Sequence, residues 1–260
     1  MKLEVLVSTM NQKDVSLVNQ MCITSDVLII NQSTEHIDEY LNELSGVHML
    51  SYQERGLSRS RNKALDNATG DVCLIADDDV AYHDRYAEII LNAHKKHPDY
   101  AIIAFKVGGR KKNYYSSQKK MGYIRSMKIS SVEITFKRQP IIEAGVRFNE
   151  SFGSGSGMYA MGEENIFLYD CLKRKLKIFY LPIEIGKVND GNSTWFKGFN
   201  EKYFFDLGAC FAAMGGYLAW IYILQYAIRK YKIYKNATTF KESIKYMLHG
   251  AINYAHHNDR

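Results

Sequence analysis

Four short apolar runs, each closed by small polar or acidic residues, punctuate the first eighty positions. Leu3–Val7 ends at Ser8, Thr9 and Asn11, and Val27–Ile30 ends at Asn31, Gln32, Ser33 and Thr34. Val47–Leu50 is a weaker third, and Val72–Ile75 runs into Asp77, Asp78 and Asp79. Short β-rich runs bounded by turn-forming residues predict strands. Helix-length segments separate them. One places Leu57, Ala64, Leu65 and Ala68 at helical spacing, with Ser58 as a candidate cap. Strands alternating with helices predict an α/β domain of right-handed βαβ units around a mostly parallel sheet. Ligands of such sheets sit beyond the carboxyl ends of the strands. Ser8, Thr9, Asn31 and Asp77–Asp79 are therefore expected at one edge.

The pattern changes twice further along. After a fifth predicted strand, Ala101–Val107, the basic residues Arg110, Lys111, Lys112, Lys119 and Lys120 surround Tyr114 and Tyr115. That segment reads either as a solvated loop or as a patch for phosphate or nucleic acid. Asn149–Gly157 is rich in Gly and Ser and is expected to be a mobile loop. Gly162, Glu163 and Glu164 then open a helix predicted to run to about Arg174. In the last third, Leu207–Ile228 holds Gln225 as its one strongly polar side chain, and Arg229, Lys230, Lys232 and Lys235 follow. Phe240, Ile244, Met247, Leu248, Ala251, Ile252 and Ala255 then fall on one helical face. These two stretches predict a hydrophobic and amphipathic helical appendage, either hairpin-like or membrane-associating.

Composition narrows the choices. A chain of 260 residues fits one large domain, or one domain with an appended segment. Its formal charge of +6 suits nucleic acid, anionic lipid or phosphorylated substrates without selecting among them. Cys22, Cys73, Cys171 and Cys210 are widely spaced, with no C-x-x-C and no histidine at zinc spacing. That pattern points to a reducing compartment. The first apolar run is too short for a secretory signal.

Two clusters carry candidate chemistry. Three adjacent carboxylates at a strand end repel one another, and a divalent cation shared with substrate phosphates relieves the repulsion. The alternative is that they form a turn or cap a helix starting near Asp84. In Gly56–Asn62 a glycine opens a helix whose first turns carry Arg59, Arg61 and Asn62. A helix N-terminus with arginines favours a phosphate or nucleotide, and a plain basic surface helix is the other reading.

Taken together, the segment Val7-Ser8-Thr9-Met10-Asn11, the Gly56–Asn62 stretch with Lys63-Ala64-Leu65, Leu74–Asp79, Gly162–Leu168 and Lys177–Pro182 resemble family-2 glycosyltransferases of the GT-A fold, a Rossmann-like sheet flanked by helices. The likeness spans about residues 3–185. It implies a catalytic domain over 1–195, with a nucleotide-sugar half at 1–107 and an acceptor half at 108–195, followed by a membrane-associating segment at 196–260. It further implies that Asp77 and Asp79 hold Mn²⁺ or Mg²⁺ on the donor diphosphate. Ser8, Thr9, Asn11, Asn31, Arg61, Asn62, Asp77 and Asp78 would line the nucleotide sugar. Glu164 would be the general base, with Glu163 second. The implied reaction is an inverting transfer from a UDP-sugar to a hydroxyl of a saccharide, lipid-linked and serving surface polysaccharide synthesis, with no nucleic acid involved.

The sequence departs from the family at several points. Ser8 and Met10 replace the usual proline and tyrosine, and Asn31 replaces an aspartate. Glu164 stands where aspartate is usual, and Val188-Asn189-Asp190 stands where a histidine often occurs; Asn189 or Asp190 is a candidate to replace it near the metal. A nucleotidyltransferase would need a glycine-rich phosphate loop after the first strand, which Asn11–Asp14 lacks. That weakens this rival without removing it; the others are a non-catalytic, membrane-associated protein that binds nucleotide sugars, against which the pairing of Asp77–Asp79 with Glu163–Glu164 argues, and a nucleic-acid-binding module, which rests only on net charge and scattered Tyr and Lys.

Leu207–Ile228 is long enough to cross a bilayer, since about 20 apolar residues suffice. Nucleotide sugars are cytoplasmic. A single span would export the four following cations, against the positive-inside tendency. The segment is therefore expected to pack on the domain and lie peripherally at the inner face of the cell membrane.

Overall fold

The computed structural model describes residues 1–34, 40–42, 46–109, 112–189, 196 and 198–258. Its strands are β1 (Leu3–Met10), β2 (Asp26–Gln32), β3 (Tyr40–Asn42), β4 (Val47–Tyr52), β5 (Val72–Asp77), β6 (Val80–Tyr82), β7 (Ile102–Gly108), β8 (Lys119–Met121), β9 (Ile134–Lys137) and β10 (Ile178–Val188). Its α-helices are α1 (Leu17–Gln20), α2 (Leu57–Asn67), α3 (Tyr86–Lys96), α4 (Tyr123–Ser126), α5 (Arg138–Glu143), α6 (Glu163–Lys173), α7 (Glu201–Gly215), α8 (Ala219–Tyr234) and α9 (Phe240–Asn258).

All strands join one sheet in the order β3-β4-β2-β1-β5-β9-β7-β10-β6, with β8 on β10. β4, β2, β1 and β5 are parallel, as are β7 and β10. β9 enters between β5 and β7, antiparallel to both. The parallel half matches the alternation read from the sequence. The mixed half did not announce itself, because β6, β8 and β9 are three or four residues long and show no usable period.

β1 is central and buried along seven of its eight positions, as expected for a parallel strand covered on both faces. Leu3, Val5 and Val7 join one layer with Tyr86 and Ile90 of α3. Leu6 faces the other layer, with Ala64 and Leu65 of α2 and Phe167 and Leu168 of α6. Glu4 is the polar exception. Its carboxylate accepts the N–H groups of Thr69 at 2.6 Å and Gly70 at 2.7 Å, so the buried charge anchors the turn into β5.

A third core ties α7, α8 and α9 to the sheet-bearing part of the chain through Phe152, Tyr159, Ile166 and Tyr169. Asn149–Gly157, expected to be mobile, is an ordered turn. Phe152 is buried, Gly153, Gly155 and Gly157 adopt positive φ, and Leu57 N–H donates to the Ser154 carbonyl at 2.8 Å. Its glycines allow the backbone close approach to Gly56 and Glu163 that a side chain would block.

Candidate active site

β1 and β5 are neighbours from which the chain departs in opposite directions across the sheet, so their carboxyl ends form the switch point where ligands bind. Ser8 pairs in register with Asp77, and Thr9 with Asn31. Asp77 ends β5, and Asp78 and Asp79 form the turn into β6. They cap no helix: α3 starts only at Tyr86, with Arg85 as its N-cap. The Thr9 hydroxyl donates to Asp78, and the Asn189 N–H donates to the Asp79 carbonyl at 2.7 Å, joining the end of β10 to the same turn. Asp190, the other candidate there, lies outside the described residues, as do Arg110 and Lys111.

The stretch Gly56–Asn62 forms one wall. Gly56, not Ser58, caps α2, at φ 126°. It is clamped by the Gln32 side chain, whose Nε2 donates to the Gly56 carbonyl at 3.1 Å while its Oε1 accepts the Gly56 N–H at 3.2 Å. Ser58 Oγ donates to the Phe152 carbonyl at 2.7 Å, and Ser60 Oγ donates to Ser8 Oγ at 2.9 Å. Asn62 binds the Phe148 backbone at both its N–H and its carbonyl, each at 2.9 Å. Asn31 does the same for Gln12, again at 2.9 Å on both sides, and is 0% exposed. Ser8, Asn31 and Asn62 were expected to line the nucleotide. The amides of Asn31 and Asn62 are bonded to protein and shape the wall from within, and Ser8 accepts from Ser60. Thr9 is also buried, and Asn11 is exposed with φ 56°.

Arg61 organises the centre. It is 3% exposed. Its guanidinium reaches Asp77 Oδ1 at 3.0 Å with one nitrogen and Glu163 Oε1 at 2.9 Å with another, and lies over the Phe148 ring. Burial alone would weaken its hold on the proton. Asp77, Glu163 and Glu164 outweigh that and raise its pKa.

Glu163 and Glu164 open α6, whose N-cap Gly162 has a φ of 100°. Glu164 is partly exposed, and its Oε1 accepts from Asn165 at 3.3 Å. Its pKa is raised well above the usual carboxylate range, first by burial and then by the charge of Glu163. The helix N-terminus by itself favours the ionised form. Loss of water and the neighbouring acid win instead.

Three contributors were not foreseen: Gln32, Asp206 and Cys210. Asp206 is 1% exposed on α7, and its Oδ2 accepts the Ala160 N–H at 3.1 Å. Cys210 packs against Gly162 so closely that a Cβ on that glycine would sit 2.6 Å from the sulfur. A lone aspartate at the head of the apolar run was the available signal, since a buried charge needs a partner. α7 therefore braces the loop that delivers the acid pair.

Several carboxylates surround one guanidinium, which leaves the mouth net negative. The oxygen-only donors Asp77, Asp78 and Asp79 suit a hard divalent cation. Among the described residues no three His, Cys, Asp or Glu side chains form a ready metal cluster. A cation at this edge would be held by one or two of these carboxylates and completed by phosphate and water oxygens.

The sequence model described as glycosyl transferase family 2 matches residues 15–158. No curated protein sequence matches the chain. Among solved structures, S. aureus TarS 1–349 in complex with UDP-GlcNAc superposes with a TM-score of 0.62 at 11% identity, over 91% of this chain and 74% of that one. The same TarS fragment in complex with UDP gives 0.61 at 12% identity, with the same coverage. S. aureus TarS 1–349 by itself gives 0.59 at 12% identity, over 99% of this chain and 92% of that one. At such identities the likeness is one of fold.

Proposed function

The chain belongs to glycosyltransferase family 2 and has the GT-A fold, and from that premise we propose that it transfers a sugar from a UDP-sugar to a hydroxyl of a saccharide acceptor with inversion. The observation that carries the proposal is the double reach of Arg61. One buried guanidinium spans Asp77, beside the switch point, and Glu163, beside the candidate base. Donor chemistry and proton chemistry thus lie within one side chain of each other. The printed ligands of the TarS structures, UDP-GlcNAc and UDP, support the choice of donor class.

In this reading Thr9, Asn11 and Asp77–Asp79 face the donor. Asp77 and Asp79 would hold Mn²⁺ or Mg²⁺, which supplies charge neutralisation for the departing diphosphate. Glu164 accepts the proton of the acceptor hydroxyl as its oxygen bonds to the anomeric carbon, and the carbon–oxygen bond to the diphosphate breaks. The base role belongs to the ionised form of Glu164, populated as pH rises through its raised pKa, and that same raised proton affinity makes the ionised form a stronger base than an ordinary carboxylate. Direct displacement inverts the anomeric centre, and no covalent intermediate is required. The acceptor is a lipid-linked saccharide of surface polysaccharide synthesis, and the enzyme works peripherally at the inner face of the cell membrane.

The test is UDP release from a panel of UDP-sugars with Mn²⁺ or Mg²⁺. Release is expected with one or a few of them and lost on chelation. Asp79→Asn is expected to abolish release without lowering the melting temperature, because it relieves carboxylate repulsion. Full activity of that variant, or in excess chelator, removes the metal from the reaction. Binding of UDP-sugar with no turnover under any condition would favour the non-catalytic binding protein.

A further inference from the structure

The apolar run 207–228 does not form one continuous rod. It breaks at Gly216, where φ is 53°, into α7 and α8. The two halves have opposite fates. α7 buries Phe204, Ala209, Phe211 and Met214 in the third core. α8 buries Ala219, Ile223, Ala227 and Tyr234, and leaves exposed Ile233, which lies off to one side, and, together, Trp220, Ile221, Leu224, Ile228 and Tyr231. At about 100° per residue these five fall within a stripe roughly 100° wide. Tyr217, on the preceding turn, is 87% exposed, Trp220 58% and Ile228 61%.

α9 does not cover this stripe, although its sequence pattern suggested a lipid-facing helix. Phe240, Ile244, Met247 and Ala251 pack into the core with α7. Nor can α8 span a bilayer. Its 16 residues make about 24 Å of helix against an apolar thickness of about 30 Å.

Charge identifies the occupant. No acidic residue stands between Asp206 and Glu242, whereas Arg229, Lys230, Lys232, Lys235 and Lys241 do. On the helical wheel Lys232 borders the stripe, and Lys235 continues it past the helix end, while Arg229 and Lys230 lie farther round the helix. A tryptophan and tyrosines over an apolar stripe with a cationic border is the pattern of a helix lying in a lipid interface.

We propose that this face of α8 is the surface by which the protein lies on an anionic phospholipid bilayer, with Trp220, Leu224 and Ile228 in the boundary between headgroups and acyl chains and Lys232 and Lys235 on lipid phosphates. The proposal rests on the peripheral placement given above, and assigns it to α8 rather than to α9.

The test is sedimentation of the full chain with vesicles of phosphatidylcholine alone or mixed with phosphatidylglycerol, with UDP release measured in parallel. The wild type is expected to bind the anionic vesicles preferentially. Lys232→Gln with Lys235→Gln removes two charges and is expected to weaken binding roughly thirtyfold, at about one kcal/mol per charge. Trp220→Ser with Leu224→Ser is expected to abolish binding while UDP release is unchanged. Absence of wild-type binding, or equal binding to neutral and anionic vesicles, overturns the proposal. So does a wild-type dimer that Trp220→Ser with Leu224→Ser converts to monomer with no vesicle binding, which would assign the face to a second copy. Vesicle binding without UDP release from any donor leaves this proposal standing and removes the transferase reading.

Discussion

Glu163 gives its carboxylate to Arg61 at 2.9 Å, while Glu164 accepts from Asn165 at 3.3 Å and stays partly exposed. Neighbours in the chain, they should respond differently to the same change. Glu164→Gln keeps the shape and cannot take a proton, so transfer should fall by about 10²–10⁴-fold with the donor KM little changed. Glu163→Gln weakens a buried ion pair whose loss costs about 3 kcal/mol. It should lower the melting temperature by several degrees, and transfer with it. A stable, inactive Glu163→Gln beside an active Glu164→Gln would exchange the two roles. The pH profile is an independent check. Because the pKa of Glu164 is raised, the acid limb of kcat should lie above the ordinary carboxylate range. Between that range and the raised value the native state binds more protons than the unfolded chain. Stability should therefore fall as pH rises through the window, and Glu164→Gln should remove that slope.

At the level of elements, the α7–α9 crossing depends on two glycines. A Cβ on Gly208 would lie 1.8 Å from the Met247 carbonyl oxygen, and one on Gly250 would lie 1.8 Å from that of Phe205. Neither obstacle is a flexible side chain, so the helices themselves must separate. Gly208→Ala should cost about 1–3 kcal/mol as an overpacked site. At this chain length that is a melting shift of roughly 2–4 °C per kcal/mol. Asp206 and Cys210 flank Gly208 and brace the loop ahead of Glu163. The variant should therefore also lose kcat at temperatures where it remains folded. A full-activity Gly208→Ala with an unchanged melting curve would show that α7 carries no such load.

For the whole molecule, the question is whether the last 65 residues are an appendage. The sequence suggested a boundary at 195, with a catalytic domain before it. In the structure Phe152, Tyr159, Ile166 and Tyr169 of the catalytic half share a core with α7, α8 and α9. The Asn149 side chain donates to the Tyr254 hydroxyl at 3.1 Å, and the Tyr159 hydroxyl donates to Asn253 at 2.8 Å. A chain ending at 195 would expose those aromatic rings together, an apolar patch that favours aggregation. It should be insoluble or poorly folded and release no UDP from donor. A soluble, active 1–195 fragment would support the boundary.

The hydrophobic periodicity and motif spacing carried the family likeness, the parallel half of the sheet, and the gathering of Ser8, Thr9 and Asp77–Asp79 at one edge. Each of these depends on local pattern: β-rich runs, the residues that end them, and the rule that ligands meet parallel strands at their carboxyl ends. What lay beyond reach depended on partners distant in the chain. Arg61 joins Asp77 to Glu163 across 102 positions to the latter, and no local pattern distinguishes such a bridge from an arginine facing a nucleotide. Asn31 and Asn62 suited a donor site by residue type, and only packing revealed that their amides bind backbone. The last third contained two apolar helical faces of similar appearance. Sequence determined that both must be covered. Tertiary structure decided which is covered by protein, because the close approach at Gly208 and Gly250 seats α9 on α7 and leaves the stripe on α8 facing out.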